Sequence, residues 1–264
     1  MEIFFAILVL GFLGLLFGVG LAVSSKKLAV HLDEKVEKVF HLLPGSNCGA
    51  CGNPGCFGFA ENLVNSKAAV DACRVSNDAS KEEIARIIGK SLEKKVKMTA
   101  VLHCHGGSRV KDKYLYSGIN DCLAANLLLG GNKACVFGCL GFGTCEMVCP
   151  FGAISMSVER LPVIDSQKCR ACNKCVLACP KKIISLIPVF GVVRVCCNSH
   201  DFGKDVKAVC SVGCIGCKLC EKACKFDALA IVDNLAVIDY HKCTSCAECA
   251  KVCPTQAIRV LAKV

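Results

Sequence analysis

Residues 243–254 read CTSCAECAKVCP, and residues 169–180 read CRACNKCVLACP. Both have the spacing C-x2-C-x2-C-x3-C-P. Three thiolates on one short loop wrap one corner of a [4Fe–4S] cubane, and the loop cannot reach the remaining iron. The fourth thiolate of each cluster therefore comes from a partner run, and two runs in tandem hold two clusters side by side. A third run, Cys214-x2-Cys217-x2-Cys220-x3-Cys224, has Lys225 where the others have proline. Proline fixes φ just after the last ligand, so this turn is expected to be looser, with Lys225 facing water. A fourth run, Cys135-x3-Cys139-x5-Cys145-x3-Cys149-Pro150, reads as the same loop with insertions between its first three ligands.

The closing cysteines Cys149, Cys179, Cys224 and Cys253 are followed by PFGAI, PKKII, KFDAL and PTQAI. This is an internal repeat of loop, short helix and strand, interrupted between its second and third copies. Two copies make one compact module of the bacterial ferredoxin type. The crossing rule groups Cys135, Cys139 and Cys145 with Cys179, and Cys169, Cys172 and Cys175 with Cys149. It likewise groups Cys214, Cys217 and Cys220 with Cys253, and Cys243, Cys246 and Cys249 with Cys224.

Upstream, Cys48-x2-Cys51-x4-Cys56 sits among glycines and a proline, so it is a ligand loop. The helical stretch 57–72 would return Cys73 to complete a fifth set of four. Residues 28–46 read as an amphipathic linker. Ser80-x2-Glu83 has the form of a capping box opening a helix with Ile84, Ile87, Ile88 and Leu92 on one face. Met98–Leu102 reads as a strand. Zinc is the alternative metal for the Cys48–Cys73 set, whose spacing is less diagnostic.

These five sets use 20 of the chain's 25 cysteines. Cys104, Cys122, Cys196, Cys197 and Cys210 remain. Adjacent Cys196 and Cys197 supply one ligand between them, so Cys104, Cys122, Cys196 (or Cys197) and Cys210 are enough for a sixth cluster. Buried apolar thiols are the alternative reading, since scattered positions carry no spacing signal. Five clusters need about 20 iron atoms per chain and six need about 24. His103 and His105 flank Cys104 and read as solvated loop residues.

Disulfide scaffolds belong to small exported domains, and 264 residues with cysteines clustered two apart do not fit one. The formal net charge of +10 counts cysteine as neutral. An oxidised [4Fe–4S] unit with its thiolates carries about −2, so five nearly cancel it. The basic balance is therefore no argument for nucleic-acid binding, and surplus lysines compensate clusters or face an acidic partner. Ile3–Val23 carries no charge over 21 residues, long enough to cross a bilayer as a helix. Neither a basic n-region nor a cleavage site marks it as a signal peptide. Lys26 and Lys27 follow, which places the remainder in the cytoplasm by the positive-inside rule. No G-x-G-x-x-G follows a strand, so no nicotinamide-dinucleotide site is expected here. No ionisable residue lies inside the apolar segment, so it offers no ion path, and no catalytic side-chain constellation stands out.

The blocks NCGACGNPGCFGFAE (47–61), KACVFGCLGFGTCEMVCPFGAI (133–154) and VGCIGCKLCEKAC (212–224) follow a membrane helix. In that combination the chain resembles the B subunit of the Rnf family of ion-translocating ferredoxin:NAD oxidoreductases, over essentially its whole length. The resemblance implies a subunit of a cytoplasmic-membrane enzyme complex that accepts electrons from reduced soluble ferredoxin. It implies that other subunits reduce NAD and move the ion. Some relatives instead serve a reductase that keeps a redox-sensing regulator reduced, and partner identity separates the two roles. The expected fold is α+β: a single transmembrane helix (1–27), a small helical [4Fe–4S] domain (28–97), and two tandem bacterial-type 2[4Fe–4S] ferredoxin modules. The first module with its lead-in spans 98–190, and an insert plus the second spans 191–264.

Overall fold

The computed structural model describes residues 2–27, 33–92 and 96–260. The first helix, α1 (Glu2–Lys27), is apolar to its last turn, where Lys26 and Lys27 stand. From Ile3 onward it is exposed throughout among the described residues, and its most apolar stretch has a mean hydropathy of 2.7. Such a surface is stable in lipid and not in water.

The expected linker is part of a core instead. Its first residues, 28–32, lie outside the described residues, but α2 (Glu34–Leu42) is a capped amphipathic helix. Asp33 accepts the Lys35 N–H at 2.9 Å, and Val36 and Val39 are buried. They meet Phe59 and Leu63 of α3 (Cys56–Val64) and Ile84 of α4 (Asp78–Ile88). The stretch 57–72 is not one helix. α3 ends at Val64, Ser66 turns left-handed, and a 3-10 turn at Val70–Ala72 delivers Cys73. The cap of α4 is Asn77, which accepts the Ser80 N–H at 2.7 Å, so Ser80 is inside the helix and not its cap. Asparagine caps as well as serine does, and the earlier start adds a turn. Left-handed Gly89 (φ 68°) ends the helix.

The rest of the chain forms two units of the same plan. In the first, β1 (Met98–Leu102) is followed by α5 (Cys122–Leu127), α6 (Thr144–Met147) and the hairpin β2 (Ile154–Met156) with β3 (Pro162–Ile164). Then α7 (Lys174–Ala178) leads to β4 (Ile184–Pro188), which returns antiparallel to β1. In the second, β5 (Val193–Val195) precedes α8 (Gly203–Val209), α9 (Leu219–Ala223) and the hairpin β6 (Leu229–Val232) with β7 (Leu235–Ile238). α10 (Glu248–Lys251) leads to β8 (Ile258–Val260), which pairs with β5. The segment between the second and third copies of the repeat is thus no mere insert, because β5 is the first strand of its unit. Asp233 (φ 45°) and Asn234 (φ 63°) close the β6–β7 hairpin. Two positive φ values in a two-residue loop match the twist of the flanking strands.

Each unit has a small core of aliphatic side chains interleaved with cysteines. The first holds Ala100, Leu102, Ile154, Ile183 and Ile184. The second holds Val193, Val195, Leu229, Ala257 and Ile258. The units touch: His103, not solvated as a loop reading implies, meets Val195 O at 2.8 Å and Ser185 Oγ at 2.6 Å through its two ring nitrogens. The Phe137 and His200 rings lie 5.7 Å apart.

Candidate iron–sulfur sites

Among the described residues, five cavities are each lined by four cysteines. One holds Cys48, Cys51, Cys56 and Cys73. Another holds Cys149, Cys169, Cys172 and Cys175. In the second unit the sets are Cys214, Cys217, Cys220 and Cys253, and Cys224, Cys243, Cys246 and Cys249. In these four cavities the structure gathers the cysteines that spacing alone groups. The fifth cavity differs. Cys139, Cys145 and Cys179 line it with Cys122, while Cys135 is absent from its walls.

The backbone explains both results. In the run at 169–175, Ala171 (φ 50°) and Asn173 (φ 71°) are left-handed, four and two residues before the third cysteine. The same two positions are Gly216 and Lys218 before Cys220, and Ser245 and Ala247 before Cys249. Alternating handedness turns successive N–H groups toward one concave side, which suits an anion. Ala171 N–H donates to Cys169 Sγ at 3.5 Å, and Ser245 N–H to Cys243 Sγ at 3.4 Å. Single left-handed residues other than glycine cost of order 1 kcal/mol each, a strain characteristic of functional loops.

The fourth run obeys the same rule. Gly141 (φ 81°) and Gly143 (φ 75°) stand four and two residues before Cys145. Cys139 then occupies the position of the first ligand, and Phe142 that of the second. The expectation of insertions is therefore corrected: the stretch 139–150 has the strict spacing, with phenylalanine in place of one cysteine. The Phe142 ring packs on Tyr116 with centroids 5.1 Å apart. Helix α5 supplies the missing thiol. Its cap Asp121 accepts the Thr144 hydroxyl at 2.7 Å, and Thr144 Oγ1 accepts the Cys122 N–H at 2.7 Å. Thr144 precedes Cys145, so these bonds clamp Cys122 to the loop that needs it.

The loop of the N-terminal cavity has its own scaffold. Asn47 Oδ1 accepts the Cys56 N–H at 2.8 Å, and Asn53 Nδ2 donates to Cys51 O at 3.1 Å. Gly49 (φ 72°) and Gly52 (φ 79°) supply the left-handed turns between the thiols. Lys225 is exposed, yet its turn is no looser than the others. Asp227 (φ 46°) follows Cys224 with the backbone of Gly152 (φ 56°), Lys182 (φ 53°) and Gln256 (φ 54°) in the other copies.

The donor set fits iron–sulfur clusters. Burial pushes the thiols of Cys175 and Cys220 up to about 12, and those of Cys145 and Cys249 up to about 11, with neighbouring cysteines adding to the effect. Cys139 is pushed up by burial too, and further by Cys104 and Cys122. Such thiols ionise only when a metal takes the thiolate. Among the described residues, no three His, Cys, Asp or Glu side chains converge on a point fit for a single ion. Four thiols around one cavity supply the donors that a [4Fe–4S] cluster takes.

The family described as "Putative Fe-S cluster" matches residues 43–75, and two described as "4Fe-4S dicluster domain" match 134–184 and 213–257. The chain is 43% identical to the B subunit of the Na(+)-translocating ferredoxin:NAD(+) oxidoreductase complex of Acetobacterium woodii, covering 95% of this chain and 75% of the relative. It is 40% identical to the B subunit of the ion-translocating oxidoreductase complex of Methanosarcina acetivorans, over 97% of both. Its identity to the B subunit of the proton-translocating ferredoxin:NAD(+) oxidoreductase complex of Clostridium ljungdahlii is 42%, over 97% and 91%.

Proposed function

The chain belongs to the B-subunit family of ion-translocating (Rnf) oxidoreductase complexes, and from that premise we propose that it accepts electrons from a reduced soluble ferredoxin and relays them to the other subunits. The five four-cysteine cavities carry this reading. Bound there, [4Fe–4S] clusters supply one-electron storage over a range of potentials set by hydrogen bonds and exposure. The chain supplies the rest: thiolates hold each cluster, left-handed loop residues aim N–H groups at sulfur, and aliphatic cores keep water out.

The sites of the N-terminal domain and the first unit lie within electrostatic reach of one another. Cys48 of the N-terminal domain acts on the Cys172 thiol of the first unit, and Cys145 acts on Cys175 within it. In the second unit, Cys217 and Cys246 are the exposed thiols. Lys218, Lys222, Lys225 and Lys242, which flank these thiols in the sequence, are exposed too. This face suits an acidic electron carrier, since complementary charge speeds encounter. Helix α1 is apolar enough to anchor the chain in a membrane, and Lys26 and Lys27 at its end support a cytoplasmic position for the iron–sulfur domains. Nicotinamide reduction belongs to other subunits, as no dinucleotide-binding motif occurs in this sequence.

The test uses the full chain in detergent, purified without oxygen. Reduced ferredoxin should bleach the cluster absorption, and NADH should not. Direct reduction by NADH, or no exchange with ferredoxin, would overturn the reading. The triple variant K218E/K222E/K242E should slow bleaching at least tenfold at low salt, with the difference shrinking as salt rises.

A further inference from the structure

We propose that a sixth [4Fe–4S] cluster joins the two units, held by Cys104 and Cys135 from the first and by Cys197 and Cys210 from the second. It rests on the iron–sulfur reading above and reassigns two cysteines that spacing alone places differently.

The internal repeat pairs these four residues. His103 N–H donates to Ile183 O at 2.7 Å, extending β1·β4 by one residue. Cys196 N–H donates to Ala257 O at 2.7 Å, extending β5·β8 in the same way. Ile183 and Ala257 both stand four residues after the closing cysteines Cys179 and Cys253. His103 and Cys196 are therefore equivalent, and so are the next residues, Cys104 and Cys197. Cys135 and Cys210 are equivalent too. Each stands four residues before the first cysteine of its run, Cys139 or Cys214, and Gly138 or Gly213 comes between. Two pairs of equivalent cysteines, one pair member from each unit, are what a site on a local two-fold axis between repeats requires.

The thiols meet there. A methyl group at Gly106 would lie 3.7 Å from both Cys104 Sγ and Cys210 Sγ. Cys104 and Cys210 both act electrostatically on Cys135, and Cys104 acts on Cys197. Cys139 N–H donates to Cys104 Sγ at 3.4 Å. Ser199 N–H donates to Cys197 Sγ at 3.5 Å, the same bond, two residues on, that Cys169 and Cys243 receive. This pattern selects Cys197 over Cys196. Cys104 acts on Cys196 as well, but Cys196 also faces Arg194 and Arg259, which oppose each other across β5·β8. Like charges directly opposite are destabilising, and a cluster of charge about −2 at the neighbouring residue offsets them.

Position gives the site its role. Cys104 lies beside Cys139 of the first unit, and Cys197 beside Cys214 of the second. The site thus stands between the Cys139 set of the first unit and the Cys214 set of the second. Cys122 is free of this site because it completes the cavity of Cys139, Cys145 and Cys179.

The test is an iron and acid-labile sulfide count on the anaerobically purified full chain, with Mössbauer spectra to confirm the cluster type. Wild type should hold about 24 iron atoms, and C135A and C197A about 20 each. The double variant C135A/C197A should also hold about 20, since both residues serve one cluster. C122A/C135A should hold about 16, since they serve two. C196A should lose nothing. The inference is overturned if wild type holds about 20, if C122A and C135A together cost no more than either alone, or if C196A loses iron while C197A does not. Zinc in place of iron in wild type would sink the electron-transfer reading itself. About 20 iron atoms, with bleaching by ferredoxin intact, would sink only the sixth site.

Discussion

The two cysteine-bearing units share a strand plan and a loop backbone but differ in how they complete one cavity. In the second unit, Cys214, Cys217 and Cys220 come from one loop. In the first, the matching loop offers Cys139 and Cys145, and helix α5 brings Cys122 across the gap that Phe142 leaves. The left-handed residues stand at the same positions in both loops. Loop conformation is thus the constant feature of the repeat, and the source of one ligand is the variable one. A cubane needs four thiolates around a cavity; it does not need them contiguous in sequence.

The largest effect should come from imposing the first unit's loop on the second. C217F removes a ligand that no helix there replaces, so the chain should lose about four iron atoms. Iron analysis and visible circular dichroism read it. An unchanged count would show that the second unit has a reserve ligand and that the two loops do not differ as described.

The converse substitution sharpens the comparison. C122A should cost about four iron atoms, and C122A/F142C should regain them, because cysteine at position 142 restores the tight run. Failure of the rescue in a folded double variant would mean that Phe142 does not occupy the second-ligand position.

A smaller difference should appear between equivalent glycines. A methyl group on Gly141 (φ 81°) would lie 2.8 Å from Arg160 Cβ and 2.9 Å from Arg160 O. On Gly216 (φ 63°) the nearest atom is Asn234 O at 3.1 Å. Ala171 already occupies this position in a third loop. G216A should therefore cost about 1 kcal/mol, the strain of a left-handed alanine, and G141A about 3 kcal/mol, since backbone must also move. Anaerobic thermal melts that rank the two variants the other way would break the proposed equivalence of the loops.

The smallest effect concerns Lys225. Its turn has the backbone of the proline-bearing copies, so K225P should raise stability by about 0.5 kcal/mol through the unfolded chain and leave iron content unchanged. Loss of stability on that substitution would show that the Lys225 backbone differs after all.

Much of this organisation was legible from spacing. The tight runs name their own three thiolates, because a loop of seven residues with cysteines at its ends and centre has few ways to hold one cubane. The crossing rule adds the fourth. The strand Met98–Leu102 and the repeat of loop, helix and strand follow from their apolar patterns. The misplaced ligand has a plain cause. Cys135 is nearer in sequence to Cys139 than Cys122 is, and proximity in sequence suggested a ligand. A signal was available: CVFGCLGFGTCEMVC and CSVGCIGCKLCEKAC align without a gap, with Phe142 opposite Cys217. The capping box failed more simply, because Asn77 caps α4 three residues earlier than Ser80.

By itself the sequence determined the apolar helical segment, the ligand loops and four of the five cysteine sets, since each depends on contacts within a few residues or on a repeat that states its own period. Only the tertiary structure decided that Cys122 joins Cys139, that Cys104 and Cys210 approach Cys135, and that β5 belongs to the second unit. Those outcomes depend on where separate strands and helices come to rest once their small cores pack. No spacing along the chain encodes the approach of thiols that meet only when two folded units do.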